Sequence, residues 1–433
     1  MKLLKYLFFC LFIIAASSCE IDDDPNPNGS SLEGFSQNAS KSELQILITG
    51  MEDLLRQDFN FYYDVTSIIG REYWFFTGSD PRYTGEVLGK GESTLDNAGF
   101  YGTRPYQGRY RTVKNGNVII EAVANSTLIT QEEANGYLGF AKTIQAHELL
   151  LVANLQYTNG IRVDVSDPDN LGGFVSYDEA LTAILALLDE AATNLSSAGS
   201  SFPFTLSSAM AGFDDPDNFL KFNRGLSARV ALYQGNKGEA KKRAEDSFMD
   251  LAGDLNTGPA RFYSTAGGDF ANNLFRPLNQ ADAIIAHPTF IDDMTSNDFR
   301  ALKVVQRDAP LSLDGLTGDH DVWVFKSLDD NIPMMRNEEL ILIYAEANVG
   351  SDNGTAVSAI NAVRNANNIG DYSGGTTDAD LMNEIAYQRR YSLFGEGHRW
   401  VDMRRWGRLN ELPIDRVDDD VWELFPRPVS ENE

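Results

Sequence analysis

The densest set of chemically capable side chains in this 433-residue sequence lies between Arg389 and Arg405. Arginines, a glutamate, a histidine and an aspartate occur within this short stretch, and they are the residue types of a proton-transfer site. The same residue types also form bidentate arginine–carboxylate pairs that join helix ends and satisfy free carbonyl groups. Trp400 and Trp406 can lie under guanidinium groups while filling core volume. A catalytic role and a structural role both fit these residues.

No other motif points to catalysis. The histidines lack the spacing of a zinc site, so no metal is indicated. There is no G-x-S-x-G motif and no Gly-rich phosphate loop, and no cofactor is required. The segment Asp314 to Asp321 offers oxygen ligands for calcium but lacks the spacing and closing glutamate of an EF-hand, which favours a solvated acidic turn. The four histidines are His147, His287, His320 and His398.

Aromatic residues give a clearer indication of binding. Four adjacent aromatic residues, Tyr73 to Phe76, are followed by Tyr83 in a loop-rich region. In an extended chain, two of the four side chains point to each side, so that one side can pack inward while the other faces solvent. Flat aromatic rings bind the apolar faces of sugars. Trp74 is the first candidate for ligand contact, followed by Tyr73 and Tyr83, with a core role as the alternative for each.

The N-terminus has the pattern of a secretory signal. Lys2 and Lys5 precede a short apolar run from Leu7 to Ala16, which is too short for a transmembrane helix. Small residues then lead directly into Cys19, an arrangement that resembles a bacterial lipoprotein cleavage site. We therefore predict a lipoprotein signal peptide over residues 1–18 and a lipid anchor at Cys19. Plain secretion with an incidental cysteine is the alternative.

Residues 19–35 are predicted to form an acidic, flexible tether. The acidic run Glu20 to Asp24 is followed by a segment rich in proline, asparagine, glycine and serine. An acidic run directly after a lipidated cysteine resembles the surface-export signal of Bacteroidetes lipoproteins, although a solvated acidic linker is the simpler interpretation. The formal net charge of −27 argues against nucleic acid as a partner. No apolar run after the first twenty residues is long enough to span a bilayer.

The remainder of the chain is predicted to be mainly helical. Thr130 and Ser176 each begin a capping-box pattern that precedes apolar residues at helical spacing. The long stretches Thr77 to Tyr101 and Ala252 to Pro333, in contrast, have the composition of loops. Structureless loops of this size are usually functional. Further helices are predicted over Ser42 to Gln57, Gly108 to Ala124, Phe219 to Gly235, Gly238 to Asp250, Arg336 to Asn348, Ala356 to Asn367 and Ala379 to Phe394.

Several motifs in the C-terminal third resemble those of one known family. The segment Ile332 to Ala347 resembles P-x-x-R-x-x-E-x-x-L-x-x-A-E-A of the SusD/RagB family, and Ile360 to Arg364 resembles its IN-x-V-R helix. The segment Glu384 to Gly407 resembles ERR-x-EL-x-x-EG-H-R-W-x-D-L-R-R-W-G, with Gln388 where the family usually has glutamate. Upstream, Ala228 to Tyr233 resembles its K-A-R-V-A-L-Y helix. The ordered set, together with the lipoprotein signal, is specific.

The resemblance implies a fold and a function. It implies a mainly α fold with a tetratricopeptide-like scaffold of helical hairpins and a large irregular, loop-rich side that faces the ligand. Residues 36–433 would form a single domain. Trp323, in the variable segment before the P-x-x-R helix, joins the ligand-binding candidates, because the family builds its glycan platform from aromatic residues on the irregular face. The segment containing Arg389 and Arg405 would belong to the scaffold.

The function implied is nutrient capture without catalysis. The protein would bind an oligosaccharide at the extracellular face of the outer membrane, held there only by its lipid anchor, and work with a SusC-like TonB-dependent transporter barrel. A peptide ligand is an alternative within the family. A helical-repeat scaffold with no small ligand is a second alternative. A surface polysaccharide hydrolase is a third, and it would need two carboxylates about 5–10 Å apart across a cleft.

Overall fold

The computed structural model describes residues 38–431 and is mainly helical, as predicted. The predicted signal peptide, residues 1–18, and the predicted tether, residues 19–35 with Cys19, lie outside the described residues. The helices are α1 Lys41–Arg56, α2 Phe59–Ile69, α3 Phe100–Asn125, α4 Gln131–Gln156, α5 Tyr177–Leu195, α6 Pro216–Tyr233, α7 Lys237–Glu245, α8 Thr289–Asp292, α9 Asn337–Asn348, α10 Asn353–Ala366, α11 Asp378–Ser392 and α12 Arg399–Arg405. The strands are β1 Tyr73–Phe76, β2 Ile161–Arg162, β3 Phe174–Val175, β4 Ala260–Arg261, β5 Ala283–Ala286, β6 Val304–Leu313, β7 Leu316–Val322 and β8 Ile332–Pro333.

The predicted capping boxes begin two of the long helices. The Thr130 hydroxyl accepts a hydrogen bond from the backbone N–H of Glu133, whose carboxylate accepts one from the Thr130 N–H, and Ser176 and Glu179 repeat this pair at α5. Each pair satisfies two backbone donors that the first helical turn leaves free. The sequence did not indicate α2, because this helix is buried on nearly all sides and therefore lacks an apolar stripe.

Successive helices pack against one another as a layered scaffold. Helix α3 contacts α1 and α4, α4 contacts α5, and α6 contacts α5 and α7, while α9 packs with α7, α10 and α11. Their facing apolar side chains form one large cluster and a smaller one at the C-terminal helices. The scaffold of helical hairpins predicted from the sequence is confirmed.

A four-stranded antiparallel sheet in the order β1-β5-β7-β6 lies against this scaffold. Strands β6 and β7 form a hairpin whose turn is Asp314 and Gly315, both with positive φ. The prediction of a structureless loop over Ala252 to Pro333 is therefore wrong for β5, β6 and β7. The Asp314 carboxylate is paired with Lys90 and Arg416, so this acidic turn is held by cations of the chain.

Buried ion pairs join the C-terminal motifs. Arg389 pairs with Asp402 at 2.7 Å, and Arg336 pairs with Glu396 at 2.6 Å. Burial, reinforced by nearby arginines, lowers the pKa of His398 to about 3, so its imidazole is neutral at physiological pH. These contacts support the structural interpretation of the motif, because the groups face one another inside the protein.

The tryptophans of this segment lie under guanidinium groups, as predicted. The guanidinium of Arg404 lies 4.6 Å from the Trp400 ring, and that of Arg405 lies 4.6 Å from the Trp406 ring. Arg404 also donates hydrogen bonds to two backbone carbonyl groups, those of Asn154 and Glu423. The segment thereby ties the C-terminal helices to α4.

Candidate ligand-binding cleft

Three of the four predicted ligand-contact residues lie in the core. Tyr73, Trp74 and Tyr83 are all buried, and Trp74 is only 4% exposed. The Trp74 ring is stacked with that of Phe76 at 5.7 Å, and its indole N–H donates a 2.8 Å hydrogen bond to Asp415. Their rings are not accessible to a ligand in this structure. Burial favours the alternative of a packing role for these three residues.

Both faces of strand β1 are covered, although the sequence suggested that one would face solvent. The hairpin approaches closely at Gly318, where an added Cβ would lie 2.5 Å from Ile285 and 3.4 Å from the Trp74 ring. The segment around Asp415, from the other end of the chain, covers the strand. The Nε2–H of His287 donates a 2.7 Å hydrogen bond to the Asp415 carboxylate and holds it there. These covering elements are distant in sequence, so the local pattern could not show them.

The fourth candidate, Trp323, lines an open cleft of about 760 Å³. It follows β7, and its backbone N–H donates to the carbonyl of Lys303 at 2.7 Å. The ring is half-buried and lies 5.8 Å from that of Phe275. Its indole N–H makes no hydrogen bond to any residue from 38 to 431. Trp323 therefore presents an anchored ring with an available donor.

Two exposed apolar side chains form a wall of the same cleft. Phe299 and Leu302, on the short 3-10 turn Phe299–Lys303, are 56% and 72% exposed. Such exposure of neighbouring large apolar groups is a recognised mark of binding surfaces. Neither residue was predicted from the sequence, because nothing in the local sequence distinguishes an exposed apolar residue from a buried one.

Polar groups surround this apolar wall. Asp254, Asn256, Lys326 and Asn331 are exposed around the cleft. The side-chain oxygen of Asn331 accepts a hydrogen bond from the Tyr263 N–H, which positions the amide. Amide and charged groups beside an accessible ring can bind a ligand rich in hydroxyl groups through hydrogen bonds and apolar contact together.

The floor of the cleft is buried and ionic. Arg336 donates to Glu338 at 2.8 Å and to Glu396, and the Lys303 ammonium donates to the carbonyls of Tyr391 and Ser392 at the end of α11. Burial lowers the pKa of Lys303 to about 8. Since these groups already satisfy one another, the floor positions the cleft and leaves ligand contact to its walls.

Two kinds of feature are absent from the described part of the chain. Between residues 38 and 431, no group of three or more His, Cys, Asp or Glu side chains is placed to hold a metal ion. Over the same residues, no helix combines the length and the apolar character that a membrane span requires.

Comparison with known proteins shows a family resemblance in the C-terminal half of the chain. The sequence profile described as "SusD family" matches residues 228–430. SusD-like protein P38 of Formosa agariphila is 31% identical over 130 residues, a match that spans 26% of this chain and only a quarter of that relative's length. The resemblance predicted from the C-terminal motifs is confirmed over residues 228–430, where the chain matches the SusD family.

Solved structures of the superfamily have the same fold. A SusD superfamily protein from Bacteroides vulgatus aligns with a TM-score of 0.71 at 16% identity, covering 91% of this chain and 97% of the other. Surface glycan-binding protein A from Bacteroides thetaiotaomicron aligns with a TM-score of 0.69 at 14% identity, covering 92% and 97%. At these identities the likeness establishes the shared fold.

Proposed function

We propose that this protein is a surface nutrient-binding lipoprotein that captures an oligosaccharide in the Trp323 cleft and passes it to a TonB-dependent transporter. The observation that carries the proposal is the accessible, anchored ring of Trp323 beside the exposed side chains of Phe299 and Leu302. Two structural relatives are described as a surface glycan-binding protein and a putative sugar binding protein. Those descriptions favour a sugar over a peptide.

The cleft supplies the two kinds of contact that sugar recognition needs. The ring of Trp323 and the side chains of Phe299 and Leu302 can cover the apolar face of a sugar ring. The free indole N–H and the amides of Asn256 and Asn331 can pair with its hydroxyl groups. The cleft is open, so several linked sugar units can lie across it.

Attachment to the outer membrane belongs to the same proposal. The predicted anchor, Cys19, and the tether over residues 19–35 would hold the protein at the cell surface. Two or more acyl chains anchor a protein firmly, whereas one chain binds only marginally. The transporter partner is inferred from the family alone.

The test is a binding screen of the protein, without lipid, against polysaccharides, oligosaccharides and peptides by affinity electrophoresis and calorimetry. We expect selective binding of one glycan class. The variants Trp323→Ala and Phe299→Ala should each weaken it by about tenfold or more, because truncating a central aromatic anchor costs about 2 kcal/mol. Leu128→Ala, which removes a comparably exposed apolar side chain from the α3–α4 connection, should have no effect.

The outcomes separate the alternatives. Selective peptide binding that is lost in Trp323→Ala would support the cleft as the binding site and show that the ligand is a peptide, not a glycan. Glycan binding that is unchanged in both cleft variants would contradict the assignment of the site. An absence of binding to every glycan and peptide would contradict nutrient capture and favour a scaffold role.

A further inference from the structure

A second large concavity lies on the helical scaffold, whereas the Trp323 cleft lies on the irregular side of the protein. This groove, of about 810 Å³, runs beside α3 and is closed by the segment of residues 162–171 and by the C-terminal end of the described chain. Tyr106, Tyr110, Val118, Pro168 and Leu171 make its lining largely apolar. Leu171 is 44% exposed, so the groove carries apolar surface that nothing within residues 38–431 covers.

The rim of the groove is cationic at the end that carries Arg111 and Lys114, in a chain whose formal net charge is −27, whereas the exposed Glu121 lies nearer Ala124. Arg111 is about half exposed, and its nearest carboxylate, Asp58, lies 3.9 Å away and is shared with Arg104 at 4.0 Å. The exposed Lys114 forms no ion pair or hydrogen bond with the described part of the chain. Arg111 and Lys114 therefore leave positive charge that is not fully neutralised at their end of the groove.

The described chain begins close to one end of this groove. The side chain of Asn38 accepts a hydrogen bond from the Thr127 N–H, and the Ala39 carbonyl accepts one from the Ser126 hydroxyl. These partners directly follow the end of α3, whose Ala124 lines the groove. The residues that precede Asn38 are therefore connected to the protein at the groove's end.

The sequence of that preceding segment complements the groove in charge and in apolar character. Its acidic run, Glu20 to Asp24, can pair with the cationic rim, and Leu32 and Phe35 are apolar groups near the point of attachment. Asp24 precedes Asn38 by 14 positions, which allows a reach of up to about 45 Å. The distance along α3 from Ala124 to Arg111 is only about 20 Å, since a helix rises 1.5 Å per residue.

We propose that the acidic tether, residues 19–35, docks along the α3 groove, with its acidic run at Arg111 and Lys114. The tether then acts as a retractable connection: docked, it holds the body of the protein near its anchor, and released, it lets the body move away. Screening by salt favours release, because the contacts of the acidic run are exposed. The proposal does not depend on the ligand of the Trp323 cleft.

The test uses the chain from residue 19 without lipid, in which Cys19 is the only cysteine and carries a fluorophore. Time-resolved anisotropy then reports how freely the start of the tether rotates. We expect slow rotation at low salt, and an increase of about twofold in the fast component in the double variant Arg111→Glu/Lys114→Glu. Salt at about 0.5 M should produce the same increase in the unmodified sequence.

A matched control changes the net charge by the same amount elsewhere. Lys221→Glu/Lys242→Glu, on exposed positions of α6 and α7, should leave the rotation slow. Val118→Asp, which places a charge in the apolar part of the groove, should release the tether as the rim variant does. Fast rotation in the unmodified chain, or equal release by the control pair, would overturn the proposal. Neither readout involves a ligand, so this test and that of nutrient capture can fail independently.

Discussion

At the scale of single residues, two tryptophans with opposite surroundings support the proposed location of the binding site. The indole N–H of Trp74 is satisfied by Asp415, and its ring is packed against Phe76, so the residue contributes to stability. The indole N–H of Trp323 has no partner among residues 38–431, and its ring lines the cleft. Both tryptophans were predicted from the sequence to contact ligand. The sequence could not distinguish the buried one from the accessible one, because Asp415, which holds Trp74 in the core, lies 341 positions further along the chain.

A buried carboxyl group beneath strand β1 should make stability depend on pH. The hydroxyl of Tyr73 lies 3.3 Å from Asp64, and burial raises the pKa of Asp64 to about 7 from its ordinary value of 3.8. Between these values the folded state binds a proton that the unfolded state does not. The group therefore favours folding as pH falls from about 7 towards 4, and this contribution is lost as pH rises through 7.

Asp64→Asn mimics the neutral form of the carboxyl group. We expect its free energy of unfolding to increase relative to that of the native protein as pH rises. The difference in unfolding free energy should change by about 1.4 kcal/mol per pH unit between pH 5 and 7 and level off above pH 7. Urea denaturation at several pH values measures it. Asp282→Asn, at an exposed position, should give a difference that stays constant. A pH-independent difference for Asp64→Asn would contradict the argument.

At the scale of elements, the sequence predicted what local chemistry determines and missed what distant pairing determines. The capping boxes at Thr130 and Ser176 are formed within four residues, and both are present. The hairpin β6–β7 had a local signal in Asp314-Gly315, a dipeptide that favours the turn with two positive φ values. The loop-like composition of the surrounding segment nevertheless led to the prediction of a loop there. The pairing of β5 with β1 and β7 has no local signal at all.

The cap of α5 gives an element-scale prediction. Ser176→Ala removes the acceptor for the Glu179 N–H and should lower the free energy of unfolding by about 1 kcal/mol. Thr182→Ala, within the same helix, removes an exposed hydroxyl that donates to the Asp178 carbonyl and accepts from the side-chain amide of Gln234. This variant should change the free energy of unfolding by less than about 0.5 kcal/mol. Equal losses in the two variants, measured by denaturant titration, would show that the capping box contributes nothing specific.

At the scale of the whole molecule, buried ion pairs connect regions that are far apart in sequence. Arg229 on α6 pairs with Glu339 on α9 at 2.6 Å, and Arg405 on α12 pairs with Glu346 on α9. Separating these regions would leave charges buried without partners, which costs several kcal/mol for each pair. This connectivity supports the proposal that residues 36–433 form a single domain.

We therefore expect one cooperative unfolding transition. Calorimetry should give a single peak, and the circular dichroism and tryptophan fluorescence curves should coincide. Arg229→Met should shift the whole transition to lower temperature without splitting it, because Glu339 would remain buried without its partner. Two resolved transitions in the unmodified protein would contradict the single-domain assignment.

The contacts of Arg71 join a segment that is synthesised early to one that is synthesised last. Its guanidinium donates to the carbonyls of Leu88, Pro413 and Asp420, and so fastens a late segment over the aromatic strand that follows Arg71. The Asp420 carbonyl is 349 positions further along the chain. During synthesis, Tyr73 to Phe76 are finished long before the residues that cover them exist. Nascent chains consequently expose an aromatic segment until the last stretch is made, and a chaperone that binds aromatic segments would protect it over that interval.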